Sequence, residues 1–285
     1  PLKLKERDVT CLKLRVCSIL ASTLLCVLAA CGGGGGGGDG TGGIGGIGGG
    51  GGGGTSTTAT YAAVLTGGQR PLPGDSSASG FGTVTVDLAT RALSGSVTVY
   101  GMTAAAVKVH YGAAIVVSLT QTSPGVWAIP ASTILSQTHF DSLRMESLYI
   151  DAHVAGDENG LAGGNAMGYL LRPKPLSGAQ VVPPVTTGAS GQGTFVDMSG
   201  WSSNGVGGGV ATTGIVGTAA HIHRSTDNTV AVTLVETPAG SGVWVIPAYT
   251  FLSQTDLALY EAGNLYFNVH SAAYPNGEIR GAITP

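Results

Sequence analysis

The sequence predicts an all-β protein of two tandem β-sandwich or Greek-key barrel domains, each with one short helix. Three observations lead there. The 285 residues include 49 glycines and only 10% charged residues, against a usual share of about 25%. Thr, Val, Ser and Gly are plentiful while Lys, Glu and Gln are scarce, a bias toward strands and turns. The chain also repeats itself: Leu65, Gly67, Gln69, Pro73, Gly80, Gly82 and Thr83 each recur 111 residues later, and "GVWAIPASTILSQT" (125–138) returns as "GVWVIPAYTFLSQT" (242–255). Finally, each copy of ~110 residues is a series of short alternating segments separated by Gly, Pro, Asn and Ser, the pattern of a small sandwich or barrel. A domain of that size holds its own core.

In the first copy the strand segments are 82–88, 93–102, 114–120 and 147–154. The second offers "GTFVDM", "GVGGGVATTGI", "TVAVTLVET", "NLYFNVH" and "GEIRGAIT". One helix is expected in each copy. In the second, Ser253 serves as N-cap, Asp256 sits in the first turn and Gly263 terminates it. Leu257 and Tyr260, three apart, face inward. Arg172-Pro173-Lys174-Pro175 forms the joint, held extended by its prolines. Trp127 and Trp244, at equivalent positions, are read as core anchors rather than sugar-stacking platforms. Trp201 has no counterpart in the first copy and is the better candidate for a ligand contact.

Ahead of the repeats lies a different kind of sequence. Lys13 and Arg15 precede an apolar run from Val16 to Leu28, which ends in small residues. This is the layout of an export signal, too short to span a bilayer comfortably. "LAAC", residues 28–31, resembles a bacterial lipobox, which implies cleavage before Cys31 and lipidation of that cysteine. Gly32 rather than Asp after it implies sorting to the outer membrane. Residues 32–54 are glycine at 19 of 23 positions. Such a segment builds no core and forms a tether with a reach of about 25–30 Å. No Lys-Ser/Thr follows it, so it is no phosphate-binding loop. The expected organisation is therefore a signal peptide (1–30), lipidated Cys31 with the tether (31–54), a degenerate first domain (55–172) and a second domain (173–285). All four cysteines precede residue 32, so the domains contain no disulfide. Five of the 13 basic and two of the 16 acidic residues precede Cys31, leaving 8 basic and 14 acidic residues, a net charge of −6. That charge argues against nucleic acid as a partner.

The chemistry-bearing residues gather in the second copy. "AHIH" places His221 and His223 on one face of a strand, with Ile222 on the other. His270 in "NVHSAAYPNG" and Glu278 and Arg280 in "GEIRG" are one-sided by the same alternation. If these strands are neighbours, five ionisable groups share one patch. Two readings follow. His221, His223 and His270 bind copper or zinc, since imidazole suits both metals. Alternatively, the five residues form a structural polar network in which Glu278 accepts from the histidines, each charged hydrogen bond contributing about 1.5–3 kcal/mol. Catalysis is the weakest option, as no serine or cysteine nucleophile motif accompanies the set.

"AHIH", "LYFNVHSAAYPNGEIRGAI" and "LSGAQVVPPV" together resemble the CHRD (chordin) domain family. The resemblance covers residues 174–285 almost end to end and residues 63–172 in part. It implies an immunoglobulin-like β-barrel and no established enzymatic activity. The His-x-His pair with a distant third histidine is also similar to the copper site of Greek-key superoxide dismutases. The bridging histidine and zinc loop of those enzymes are missing here. In the first copy, an offset of 111 aligns His110 with His221 and puts Gly112 at the place of His223, while His153 matches His270. Asn165 and Met167 stand for Glu278 and Arg280. On that alignment the first copy is a scaffold or spacer. The expected function is a non-enzymatic binding or structural role of an outer-membrane lipoprotein, periplasmic or surface-exposed. Its partners would be the membrane through the lipid anchor and a protein or glycan of the envelope. The alternative is a copper- or zinc-binding, redox-capable protein.

Overall fold

The computed structural model describes residues 57–69, 77–157, 165–199 and 204–285. The export signal, Cys31, the glycine tether and Trp201 lie outside them. Every strand pairing is antiparallel. The first repeat contains β1 (Thr58–Thr66), β2 (Ser79–Asp87), β3 (Leu93–Tyr100), β4 (Ala106–Tyr111), β5 (Ala114–Ser118), β6 (Thr120–Ser123), β7 (Val126–Ala128), α1 (Gln137–Arg144), β8 (Tyr149–His153) and β9 (Ala166–Tyr169). Its sheet runs β5-β4-β8-β9-β1-β2-β3-β7-β6. The two outermost strands are consecutive in the chain and are separated only by Leu119. The Leu119 N–H donates to the Val107 carbonyl at 2.9 Å, so the sheet curls almost into a barrel.

The second repeat contains β10 (Lys174–Ser177), β11 (Ser190–Asp197), β12 (Val206–Thr213), β13 (Gly217–Arg224), β14 (Val230–Glu236), β15 (Val243–Val245), α2 (Gln254–Glu261), β16 (Leu265–Ser271) and β17 (Ile279–Ile283). It forms a closed eight-stranded barrel in the order β10-β11-β12-β15-β14-β13-β16-β17, with β14 taking the place of β5 and β6. Pro175 lies within β10, which pairs with β17 only at Ser177. The missing N–H therefore falls near a seam, where it is tolerated.

Each barrel is filled from alternate strand positions. Leu65, Ile150 and Leu143 are fully buried in the first core, and Ile222, Phe267 and Ile279 in the second. Trp127 and Trp244 are buried in the respective cores, as their composition and position lead one to expect. The α2 caps also follow the sequence. Ser253 Oγ accepts from the Asp256 N–H at 3.0 Å, Gly263 adopts φ +71°, and Leu257 and Tyr260 pack on the core.

The helix of the first repeat ends less comfortably. Glu146 occupies the position of Gly263 and is forced to φ +57°, where a Cβ crowds the backbone. Glu146→Gly is expected to raise the unfolding free energy by about 0.5–1 kcal/mol, the residual after glycine's unfolded-state entropy is deducted. Glu146 also pairs with Arg172, Oε1 to Nε at 4.0 Å, and a denaturation midpoint that falls would show that this contact outweighs the strain.

The two repeats pack against each other within one compact unit, Ser56–Pro285. Tyr61, Ala63 and Leu65 of β1 point into their own core. Val64, on the opposite face, packs on Val243 and Val245 of the second repeat. Burial of both faces explains why β1 reads as a continuous apolar run instead of an alternation. Gln69 is completely buried, and its Nε2 donates to the Val64 carbonyl at 2.5 Å. Ser79 Oγ donates to the Thr237 carbonyl across the interface at 2.5 Å.

Candidate metal centre

Strands β13 and β16 are neighbours, in a register that opposes Ala219 to His270, His221 to Asn268 and His223 to Tyr266. Alternation sends Ile222, Phe267 and Val269 into the core and all three histidines to the outer face. A bulge between Ile222 and His223 interrupts the pairing with β14 at that point; bulges of this kind re-aim a side chain. The ring centroids of His221 lie 5.3 Å from His223 and 5.0 Å from His270. One nitrogen from each ring lies within 4.8 Å of the other two.

The hydrogen bonds fix which nitrogens are available. A carbonyl can only accept, so His223 Nδ1–H donates to Asn228 O at 2.8 Å and His270 Nδ1–H donates to Pro275 O at 3.0 Å. In the neutral rings both Nε2 atoms then carry lone pairs. His270 Nε2 stands 3.1 Å from His221 Nδ1, while His223 Nε2 is buried without a hydrogen-bond partner. Burial pushes the His221 pKa down, and the neighbouring His270 and His223 lower it further. Burial also lowers that of His270, against the opposing pull of the Pro275 carbonyl. Neutral imidazole is the form that ligates metal.

Tyr266 stacks on His223 at 5.4 Å and 14°, and its hydroxyl donates to Asn228 Oδ1 at 3.1 Å. The Arg280 guanidinium carbon lies 3.6 Å from the Tyr266 ring centroid, a close cation–π contact. A cleft of about 610 Å³ borders His223 and His270 and is lined also by Tyr266, Asn268 and Arg280. Of the five residues expected to share a network, Arg280 joins the patch through Tyr266. Glu278 points elsewhere: its carboxylate oxygens accept from Thr187 Oγ1 at 2.6 Å and Ser271 Oγ at 2.5 Å.

The first repeat requires a correction. His110 is opposite Tyr149, Lys108 opposite Asp151, and Ala106 opposite His153. The β4 bulge falls between Val109 and His110, as that of β13 falls between Ile222 and His223. His110 stacks on Tyr149 at 5.3 Å and 9°. His110 is therefore the equivalent of His223, not of His221, whose place is taken by Lys108. The expected match of Gly112 to His223 fails because the β11–β12 connection is longer than that between β2 and β3, which moves the offset from 111 to 113. The shift is even, so it preserves the strand face and leaves no trace in the alternation. Asn165 and Met167 do correspond to Glu278 and Arg280, Met167 being opposite Asp151 as Arg280 is opposite Asn268.

The model of one protein family, the CHRD domain, matches the chain twice, over residues 61–164 and 173–283. The chain belongs to the CHRD domain family. Both barrels are CHRD domains, the first included despite its altered histidine pattern. Membership points to a non-enzymatic domain type. No curated protein and no solved structure gives a significant match to the chain. Among the described residues, no helix is long and apolar enough to cross a membrane.

Proposed function

We propose that this CHRD-domain chain is an exported, lipid-anchored, non-enzymatic binding protein whose second domain binds copper or zinc through His221, His223 and His270. The observation that carries the metal reading is the convergence of three ring nitrogens within 4.8 Å, two of the rings being oriented by Nδ1–H bonds to backbone carbonyls. That outer layer of carbonyls is what metal-ligating histidines ordinarily have. Three nitrogen donors suit copper and zinc and leave a further coordination position, and two of the three rings border the cleft. The patch also has the rigidity a site needs, since two paired strands and a stacked tyrosine hold the rings. Envelope anchoring rests on the "LAAC" sequence and the glycine tether.

The test is metal content by mass spectrometry on protein purified without chelator or histidine tag, beside a His221→Ala/His223→Ala variant. Near-stoichiometric copper or zinc, reduced by one equivalent in the variant, is expected. Equal metal in both, or none in either, rejects the reading. For the anchor, Cys31→Ser is expected to abolish palmitate labelling and to move the protein out of the membrane fraction. Retention in membranes would show that something other than Cys31 holds it.

A further inference from the structure

We propose that His110, Asp151 and His153 form a second metal site, in the first CHRD domain, that binds zinc(II) through two imidazole nitrogens and one carboxylate. The site uses none of the residues assigned to metal in the second domain. All three residues are buried, and one donor atom from each lies within 4.8 Å of the others.

The donor atom of His153 is identified in the same way as those of the second domain. His153 Nδ1–H donates to the Asp157 carbonyl at 3.1 Å, which leaves a lone pair on Nε2 of the neutral ring. That atom and His110 Nε2 are both buried without a hydrogen-bond partner. Buried polar atoms of that kind are rare, and an ion is among the few things that explain them. Asp151 Oδ2 stands 3.5 Å from His153 Nε2. This is beyond the usual 2.7–3.2 Å or so of an N–H···O bond. Two donors on one tetrahedral zinc, with bonds of about 2.0–2.2 Å, stand roughly 3.3–3.5 Å apart. The observed gap is the second of these spacings.

The donor set separates the two sites. The second domain has Asn268 at the position of Asp151 and His221 at that of Lys108. One site thus presents three nitrogens and the other two nitrogens and an anionic oxygen. The carboxylate favours a hard or borderline dication over copper(I). Lys108 is the competing group, because its ammonium is the alternative partner for Asp151. If it fills that role completely, the first domain has exchanged a metal for a lysine.

Zinc titration calorimetry on the chelator-stripped full chain distinguishes these cases. Wild type is expected to bind two equivalents. His221→Ala/His223→Ala leaves the first domain untouched and is expected to bind one. Adding Asp151→Asn to that variant should weaken the remaining site at least ~100-fold with the fold retained by circular dichroism. No zinc in His221→Ala/His223→Ala overturns the proposal, and if wild type still binds one equivalent the second-domain reading stands alone. One equivalent in both proteins upholds this site and rejects that of the second domain. A folded Asp151→Asn protein with unchanged affinity also overturns the proposal. Should that variant not fold, Lys108→Ala in the same background decides. Zinc binding about tenfold tighter, from removal of a nearby positive charge, supports the site, and unchanged affinity overturns it.

Discussion

Gly208→Ala is expected to cost about 2–6 kcal/mol, combining strain at an unfavourable φ with an overpacking clash, each about 1–3 kcal/mol. Gly208 has φ +103°, and a Cβ there would lie 2.2 Å from the Thr194 carbonyl oxygen. The first repeat contains the same device. Gly95, opposite Val84 as Gly208 is opposite Phe195, has φ +147° and would bring a Cβ within 2.1 Å of the Thr83 oxygen. In both cases the obstacle is paired backbone, which cannot rotate aside. Gly112 is the control, at φ +56° with nothing within 4 Å of an added Cβ. Gly112→Ala should cost only the left-handed penalty, about 1–2 kcal/mol. Urea denaturation of the three variants checks the argument. Equal losses at all three positions would mean that backbone conformation alone is at stake and that the close approach relaxes.

Phe267→Ala is expected to cost about 3–5 kcal/mol, a large share of the roughly 5–15 kcal/mol that stabilises a domain. Phe267 is completely buried in β16 opposite Ile222. Its ring fills the space left by Gly193, where an added Cβ would come within 2.7 Å of it. The surrounding barrel is closed, so strands cannot slide in to fill the void. His270 lies on the same strand, and β16 positions it against His221. On the proposed metal reading the variant should bind copper or zinc more weakly as well as unfold earlier. A loss below about 1 kcal/mol in equilibrium denaturation would show that the barrel interior collapses around the missing ring.

Much of this architecture was legible in the chain. The duplication announced two domains, and period-two alternation placed His221, His223, His270 and Arg280 on one face. Ser253 and Gly263 marked the ends of α2, and the repeated tryptophans marked the cores. These signals are local, carried by residues within a few positions of one another. The sites were harder to read. Asp151 in "LYIDAH" is not legible as a ligand, because a carboxylate on a strand has no signature until β4 is seen beside β8. A visible hint existed, since Asp151 and His153 share a face by alternation. Glu278 was expected to reach the histidines, but its carboxylate is taken by Ser271, seven residues back along the chain, and by Thr187 from the connection between β10 and β11.

The sequence by itself determined the all-β class, the two repeats, the caps of α2 and the one-sidedness of the histidine-bearing strands of the second repeat. All of these depend on backbone propensity and a period of two. Only the tertiary structure decided the true match of His110 to His223, the gathering of His110, Asp151 and His153, and the packing of Val64 on Val243 and Val245. Each of these depends on which strands are neighbours and in what register. An insertion of two residues in a connection shifts the correspondence between the copies while leaving every side chain on its face, so the alternation along the chain does not report it.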